Sequence, residues 1–185
     1  MPLSLRRPAA ASKPRLLRVR RRPGAAPHLG LLTVAGITLP CALGRSGLTR
    51  FKREGDGATP VGRFALLYGH RRADRALPPG GPVPLSPIRA DDGWCDDVAD
   101  GRYNRPVRLP FRGSHEVMRR DDHLYDVVIV LDANVRRRVI GRGSAIFFHL
   151  ARDGFEPTAG CVALRPEDMR RLLPRLGPHP VMVIG

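Results

Sequence analysis

The run Tyr125-Asp-Val-Val-Ile-Val-Leu131 is apolar at every position but one. A buried helix needs about ten or more such residues, so a run this short reads as a buried strand, and a strand is stable only in a sheet. Other segments of the same kind supply the partners. Leu16-Leu-Arg-Val19 reads as a first strand, and Leu32-Thr-Val34-Ala-Gly36-Ile-Thr-Leu39 as two strands around an Ala-Gly turn. Gly62 to Tyr68 and Val181 to Ile184 read as two more. Ala145 to Leu150 alternates so that Ala145, Phe147 and His149 share one face. Helical signals are confined to one place. Pro166-Glu-Asp168 has proline at a first helical position and acids in the first turn, and Met169, Leu172, Leu173 and Leu176 follow at helical spacing. Pro174 should end that helix early. The pattern is that of a mainly β fold.

At 185 residues and 42% hydrophobic content the chain suits one domain with a true core. Lys and Arg number 32 against 17 Asp and Glu, a net charge of +15, and only Lys13 and Lys52 are lysines. Guanidinium forks suit carboxylates and phosphates, so the charge fits an anionic wall polymer and nucleic acid equally well. Aromatics make up only 5% of the chain and no nucleic-acid motif occurs, which leaves few platforms for stacking bases. Much of the charge lies near the amino terminus, where Met1 to Pro27 holds arginines and prolines and no acid. Residues 1–15 therefore read as a disordered basic tail, and 16–185 as the folded domain.

Gly24 to Gly44 carries no formal charge and follows three arginines, the outline of an export signal. Pro27, Gly30, Gly36 and Pro40 interrupt it well short of the roughly 20 apolar residues of a span, and it reads better as the hairpin described above. Ala76 to Asp100 reads as loop, with Asp91, Asp92, Asp96 and Asp97 forming a solvated acidic stretch around Trp94 and Cys95.

The chemistry sits near the carboxyl end, in Phe-Phe-His149-Leu-Ala-Arg-Asp-Gly-Phe-Glu-Pro-Thr158-Ala-Gly160-Cys161-Val. A thiol becomes a strong nucleophile as thiolate, and an imidazole brought beside it by a short connection can take its proton, which makes an acyl-transfer site. Gly160 allows close backbone approach, and amides around it can face a developing oxyanion. Taken alone, both residues also fit a plain structural reading, with Cys161 a small core hydrophobe and His149 a core histidine.

The segment resembles the active-site signature of the L,D-transpeptidases, the YkuD-type catalytic domain. That signature has a histidine at a strand end, a variable stretch, then Ser or Thr, any residue, Gly, Cys and an aliphatic residue. His149, Thr158, Gly160, Cys161 and Val162 fill those places in order. Upstream, Lys52-Arg-Glu-Gly-Asp-Gly-Ala-Thr59-Pro60-Val-Gly62-Arg-Phe64 is similar to the family's Thr-Pro-x-Gly-x-Phe segment. Many members carry Arg two places after the cysteine, His before the Gly-Cys pair and Gly after the first histidine. Here these are Ala163, Ala159 and Leu150, with the nearest arginine at Arg165, so the chain resembles a divergent branch.

The resemblance implies a β-sandwich with a short helix after the cysteine strand. It implies Cys161 as nucleophile, His149 as base, and Gly160 and Thr158 as oxyanion and substrate-positioning residues. The implied donor is a peptidoglycan stem tetrapeptide that loses D-alanine through an acyl-thioester, with no metal and no organic cofactor. Carbapenem β-lactams are the implied covalent inhibitors and the cell envelope the implied location, although no clear signal peptide is read and a cytoplasmic site stays open. The acyl acceptor is open, and so is hydrolysis in a carboxypeptidase variant. A non-catalytic basic module binding nucleic acid or cell wall is the competing class.

Overall fold

A two-residue turn closes the first hairpin of this chain. In the computed structural model, which describes residues 15–75 and 81–185, Ala35 and Gly36 join β2 (Leu29–Val34) to β3 (Ile37–Ala42) with φ of 48° and 78°. Positive φ at both turn positions matches the right-handed twist of paired strands, and glycine accepts it without a side-chain clash. β1 (Leu16–Arg21) pairs antiparallel with β2 on one side and parallel with β14 (Val181–Ile184) on the other. The hairpin and the first and last strands are therefore those expected. The proposed tail lies outside the described residues except for Arg15.

Short β4 (Leu48–Thr49) and β5 (Thr59–Pro60) lead into β6 (Gly62–Arg71), which joins the layers. Its first half pairs with β14 and its second with β11 (Val127–Leu131), and the register shifts by one between Val130 and Leu131. Such a bulge bends a strand sharply. β11 continues through β12 (Phe147–Leu150), β13 (Val162–Leu164) and β3 back to β2, so the pairings run round and close at β6. The two layers of the expected sandwich are thus one continuous sheet. β7 (Leu85–Pro87) adds to β6.

All five residues of β11 are buried because both of its faces are covered. Val127, Ile129 and Leu131 enter the main core, together with Met169, Leu172 and Leu173 of the helical segment. Val128 and Val130 enter a second core with Trp94, Tyr125, Phe147 and Cys161. The helix α1 (Pro166–Leu172) starts and ends where Pro166 and Pro174 require, and a 3₁₀ turn, Leu173–Arg175, follows it.

The stretch read as a solvated acidic loop is corrected by the structure. Residues 76–80 lie outside the described residues, but β8 (Asp92–Cys95) is a strand flanked by β9 (Arg105–Arg108) and β10 (His115–Val117). Trp94 is 1% exposed and Cys95 fully buried. Trp94 Nε1–H donates to Asn104 Oδ1 at 2.9 Å, and the ring meets Phe147 edge-on at 5.2 Å. The acids that suggested a loop are partly neutralised across the strands, since Arg108 pairs with both Asp91 and Asp92. This small sheet roofs the second core, in which the cysteine sits.

Candidate active site

β12 and β13 are parallel, with Phe148 opposite Val162 and His149 opposite Ala163. A parallel return carries the chain back to where β12 began, so residues 151–161 end with Cys161 beside Phe147. The Phe147 N–H donates to Cys161 Sγ at 3.3 Å. Cys161, His149 and Ala163 line one cleft of about 520 Å³. β12 begins at Phe147 rather than at the expected Ala145, which precedes the strand with φ of 49°; Ala145 and His149 line the cleft, with Phe147 buried behind them.

The imidazole is held on two sides. Its Nδ1 lies 2.8 Å from the carbonyl oxygen of Leu150. A carbonyl only accepts, so Nδ1 carries the hydrogen and Nε2 keeps its lone pair. The Tyr125 ring packs edge-on against the imidazole at 5.3 Å, and Arg120 lies over Tyr125 at 5.2 Å. Arg120 is itself fixed by two hydrogen bonds to Asp122.

The cysteine is positioned by hydroxyls. Thr158 Oγ1 donates to the Cys161 carbonyl at 2.8 Å, and Thr59 Oγ1, fully buried, donates to the same oxygen at 3.4 Å. The Gly160 N–H donates to Thr158 Oγ1 at 3.1 Å. Thr158 and the Gly160 amide therefore hold the turn into the cysteine, and the expectation that they face an oxyanion is revised to that extent. Gly160 has φ of +142°, and a Cβ there would stand 2.9 Å from the Ala58 carbonyl oxygen. Here glycine is a requirement of geometry.

Burial sets the charge state of the pair. It pushes the Cys161 thiol up to about 12, partly offset by the Phe147 N–H and the nearby Lys52 ammonium. It pulls the His149 imidazole down to about 4. The resting pair is neutral, and the thiol proton is donated to the Ala145 carbonyl at 3.2 Å. The other thiols, Cys41 and Cys95, are buried away from the cleft.

Lys52, the sole lysine among the described residues, lines the cleft. Its side chain is 11% exposed and ion-paired to Asp56. A Cβ on Gly160 would be 3.5 Å from its Nζ, and one on Gly143 would be 2.8 Å from its Cγ and Cε. Asp56 also accepts from the N–H groups of Arg53 and Ala58, each at 2.9 Å, so the cation is held by a fixed carboxylate. Glu54, on the same loop, accepts from Tyr103 and Ser144. From the sequence alone, Lys52, Glu54 and Asp56 are only the lead-in to the Thr59-Pro60 segment and are given no role.

A family model for the L,D-transpeptidase catalytic domain (YkuD) matches residues 33–184. The chain belongs to this family. No curated protein and no solved structure matches it. In this L,D-transpeptidase domain Ala163 lines the cleft beside His149 where many members place arginine. Arg165 does not replace it, since its guanidinium pairs with Asp168 at 2.9 Å and Glu167 at 3.2 Å. The cations that do line the cleft are Arg45, Lys52 and Arg120, from elsewhere in the chain, and Arg152, from the connection between β12 and β13.

Proposed function

We propose that the protein is a cysteine-dependent L,D-transpeptidase acting on peptidoglycan stem peptides through an acyl-thioester. The observation that carries this reading is that Cys161 and His149 face one cleft while Leu150 holds Nδ1 and leaves Nε2 as the base.

In the proposed cycle the S–H turns from the Ala145 carbonyl and gives its proton to His149 Nε2. Sulfur attacks the L-configured carbonyl of the third stem residue, forming a C–S bond and an oxyanion. The Phe147 N–H and the Lys52 charge oppose the cost of the thiolate. As the oxyanion collapses, the C–N bond to D-alanine breaks, and the imidazolium returns its proton to the leaving amine. An acceptor amine then attacks the thioester, His149 takes its proton, and the C–S bond breaks to restore the thiol. With water as acceptor the same steps give a carboxypeptidase. A substrate of this class is met in the cell envelope, which is the location that goes with the reading.

The test is incubation with stem tetrapeptide, with and without an added amine. The wild type should release D-alanine and form an amide-linked product. His149→Ala should slow release by roughly 100- to 10,000-fold, and Cys161→Ala should stop it. Tripeptide alone would identify the hydrolase. Release undiminished in Cys161→Ala would refute the reading.

A further inference from the structure

Two loops beside the cleft expose apolar side chains that a water-facing surface does not need. Phe51 is 78% exposed, Ile140 59% and Val139 55%, the highest values among the large exposed hydrophobics of the described residues. The loops run side by side. The Glu54 N–H donates to the Gly141 carbonyl at 2.9 Å, Ser144 Oγ donates to Glu54 at 2.8 Å, and the Lys52 stem lies over Gly143.

This exposure is built into the loops. Asn134 Oδ1 accepts from the Val139 N–H at 2.6 Å, and its Nδ2 donates to the Val139 and Gly143 carbonyls, both at 2.8 Å. Arg138 donates to the Tyr103 carbonyl at 2.8 Å. The backbone is thus satisfied and fixed while Val139 and Ile140 remain turned out. Around them the sequence is cationic: Arg136-Arg-Arg138-Val-Ile-Gly-Arg142 in one loop and Arg50-Phe-Lys-Arg53 in the other, with Arg50, Arg53, Arg136, Arg137, Arg138 and Arg142 all turned toward solvent to some degree. The neighbouring acids are occupied, Glu54 by Tyr103 and Ser144, Asp56 by Lys52, and Asp132 by Arg136.

We propose that this rim docks the enzyme on an anionic lipid bilayer, with Phe51, Val139 and Ile140 entering the interface and the arginines meeting the headgroups. Charge favours any polyanion, and among polyanions an anionic bilayer is the one that also takes up exposed aliphatic and aromatic side chains. A soluble polyanion such as nucleic acid gains little from Val139 or Ile140. Docked in this way, the cleft opens beside the membrane surface, where membrane-proximal substrate would be met.

The experiment is sedimentation of the full chain with phosphatidylglycerol vesicles and with phosphatidylcholine vesicles. Binding is expected to the first and not the second. The joint variant Phe51→Ser, Val139→Ser, Ile140→Ser keeps every charge and should bind roughly tenfold or more weakly. The joint variant Arg50→Gln, Arg137→Gln, Arg142→Gln should weaken binding and flatten its salt dependence. Should the apolar variant fail to fold, Phe51→Trp decides alone: its emission in excess of the wild type's, which comes from the buried Trp94, should shift blue on anionic vesicles and be quenched by a spin label in the acyl region. The basic amino-terminal segment is present in every variant and cannot move that signal. An apolar variant that binds like wild type, or an indole emission unmoved while the Phe51→Trp protein sediments, would overturn the proposal in favour of a polyanion surface.

Discussion

The Cys161 thiol donates to the backbone carbonyl of Ala145, 3.2 Å away, so the proposed nucleophile rests protonated and hydrogen-bonded to the main chain. Burial holds that thiol at about 12 and His149 at about 4. The sequence alone suggests a thiolate made easy by its histidine, whereas burial in the folded site favours the neutral form of both groups.

Alkylation reads this directly. With the thiol so far above neutrality, the thiolate fraction rises about tenfold per pH unit between pH 6 and 9. Brief iodoacetamide treatment followed by peptide mapping should show Cys161 modified before Cys41 and Cys95, which do not line the cleft, at a rate that climbs across this range. A plateau already reached at pH 6 would mean a preformed ion pair.

Lys52 and Asp56 should move that profile in opposite directions. Removing the cation in Lys52→Met leaves the thiolate less compensated, so the alkylation profile shifts to higher pH, by roughly tenfold in rate for each unit. Asp56→Asn frees the cation and shifts it lower. Lys52→Arg keeps the charge and should restore much of the wild-type profile. Identical profiles in all three variants would remove Lys52 from the site's electrostatics.

His149 also links stability to pH. Its folded value of about 4 lies below the ordinary 6.5, so between these values the unfolded chain binds the proton that the native chain refuses. Falling pH therefore favours unfolding, and across the window the cost is about 2–3 kcal/mol. Urea unfolding at pH 7 and pH 4.5 should show a smaller loss for His149→Gln than for the wild type. Equal losses would place His149 in a more solvated setting.

Much of the fold is legible in the sequence. Tyr125–Leu131, the hairpin at Ala35-Gly36 and the helix start at Pro166 announce themselves because each depends on neighbours along the chain: apolar continuity, a turn, a cap. The sheet around Trp94 does not, because its strands are short and its acids are matched by Arg108, which is distant in sequence. The site divides the same way. His149 and Cys161 stand out because they fall, with Thr158, Gly160 and Val162, in the order of the family signature. Lys52, Asp56 and the Leu150 carbonyl gain their roles only when β12, β13 and the 50–59 loop meet, which no local pattern announces.

Thr158 and Gly160 should separate positioning from chemistry. Thr158→Val keeps the shape but removes the donor to the Cys161 carbonyl and the acceptor for Gly160, a loss of about 1–3 kcal/mol. Gly160→Ala meets the Ala58 carbonyl at a φ that side chains rarely adopt, with a cost of about 1–3 kcal/mol. Thermal unfolding should show both losses, with activity falling further than stability alone explains. Unchanged melting and turnover in Gly160→Ala would show that the turn relaxes freely.

The intact mass of the protein after incubation with a carbapenem asks whether Cys161 is acylated. The strained β-lactam carbonyl stands in for the scissile amide, and its opening by sulfur leaves a thioester. The wild type should gain one drug mass, mapped to the Cys161 peptide, and Cys161→Ala should gain none. No adduct on the folded wild type, or an adduct that persists in Cys161→Ala, would contradict a cysteine acyl-enzyme.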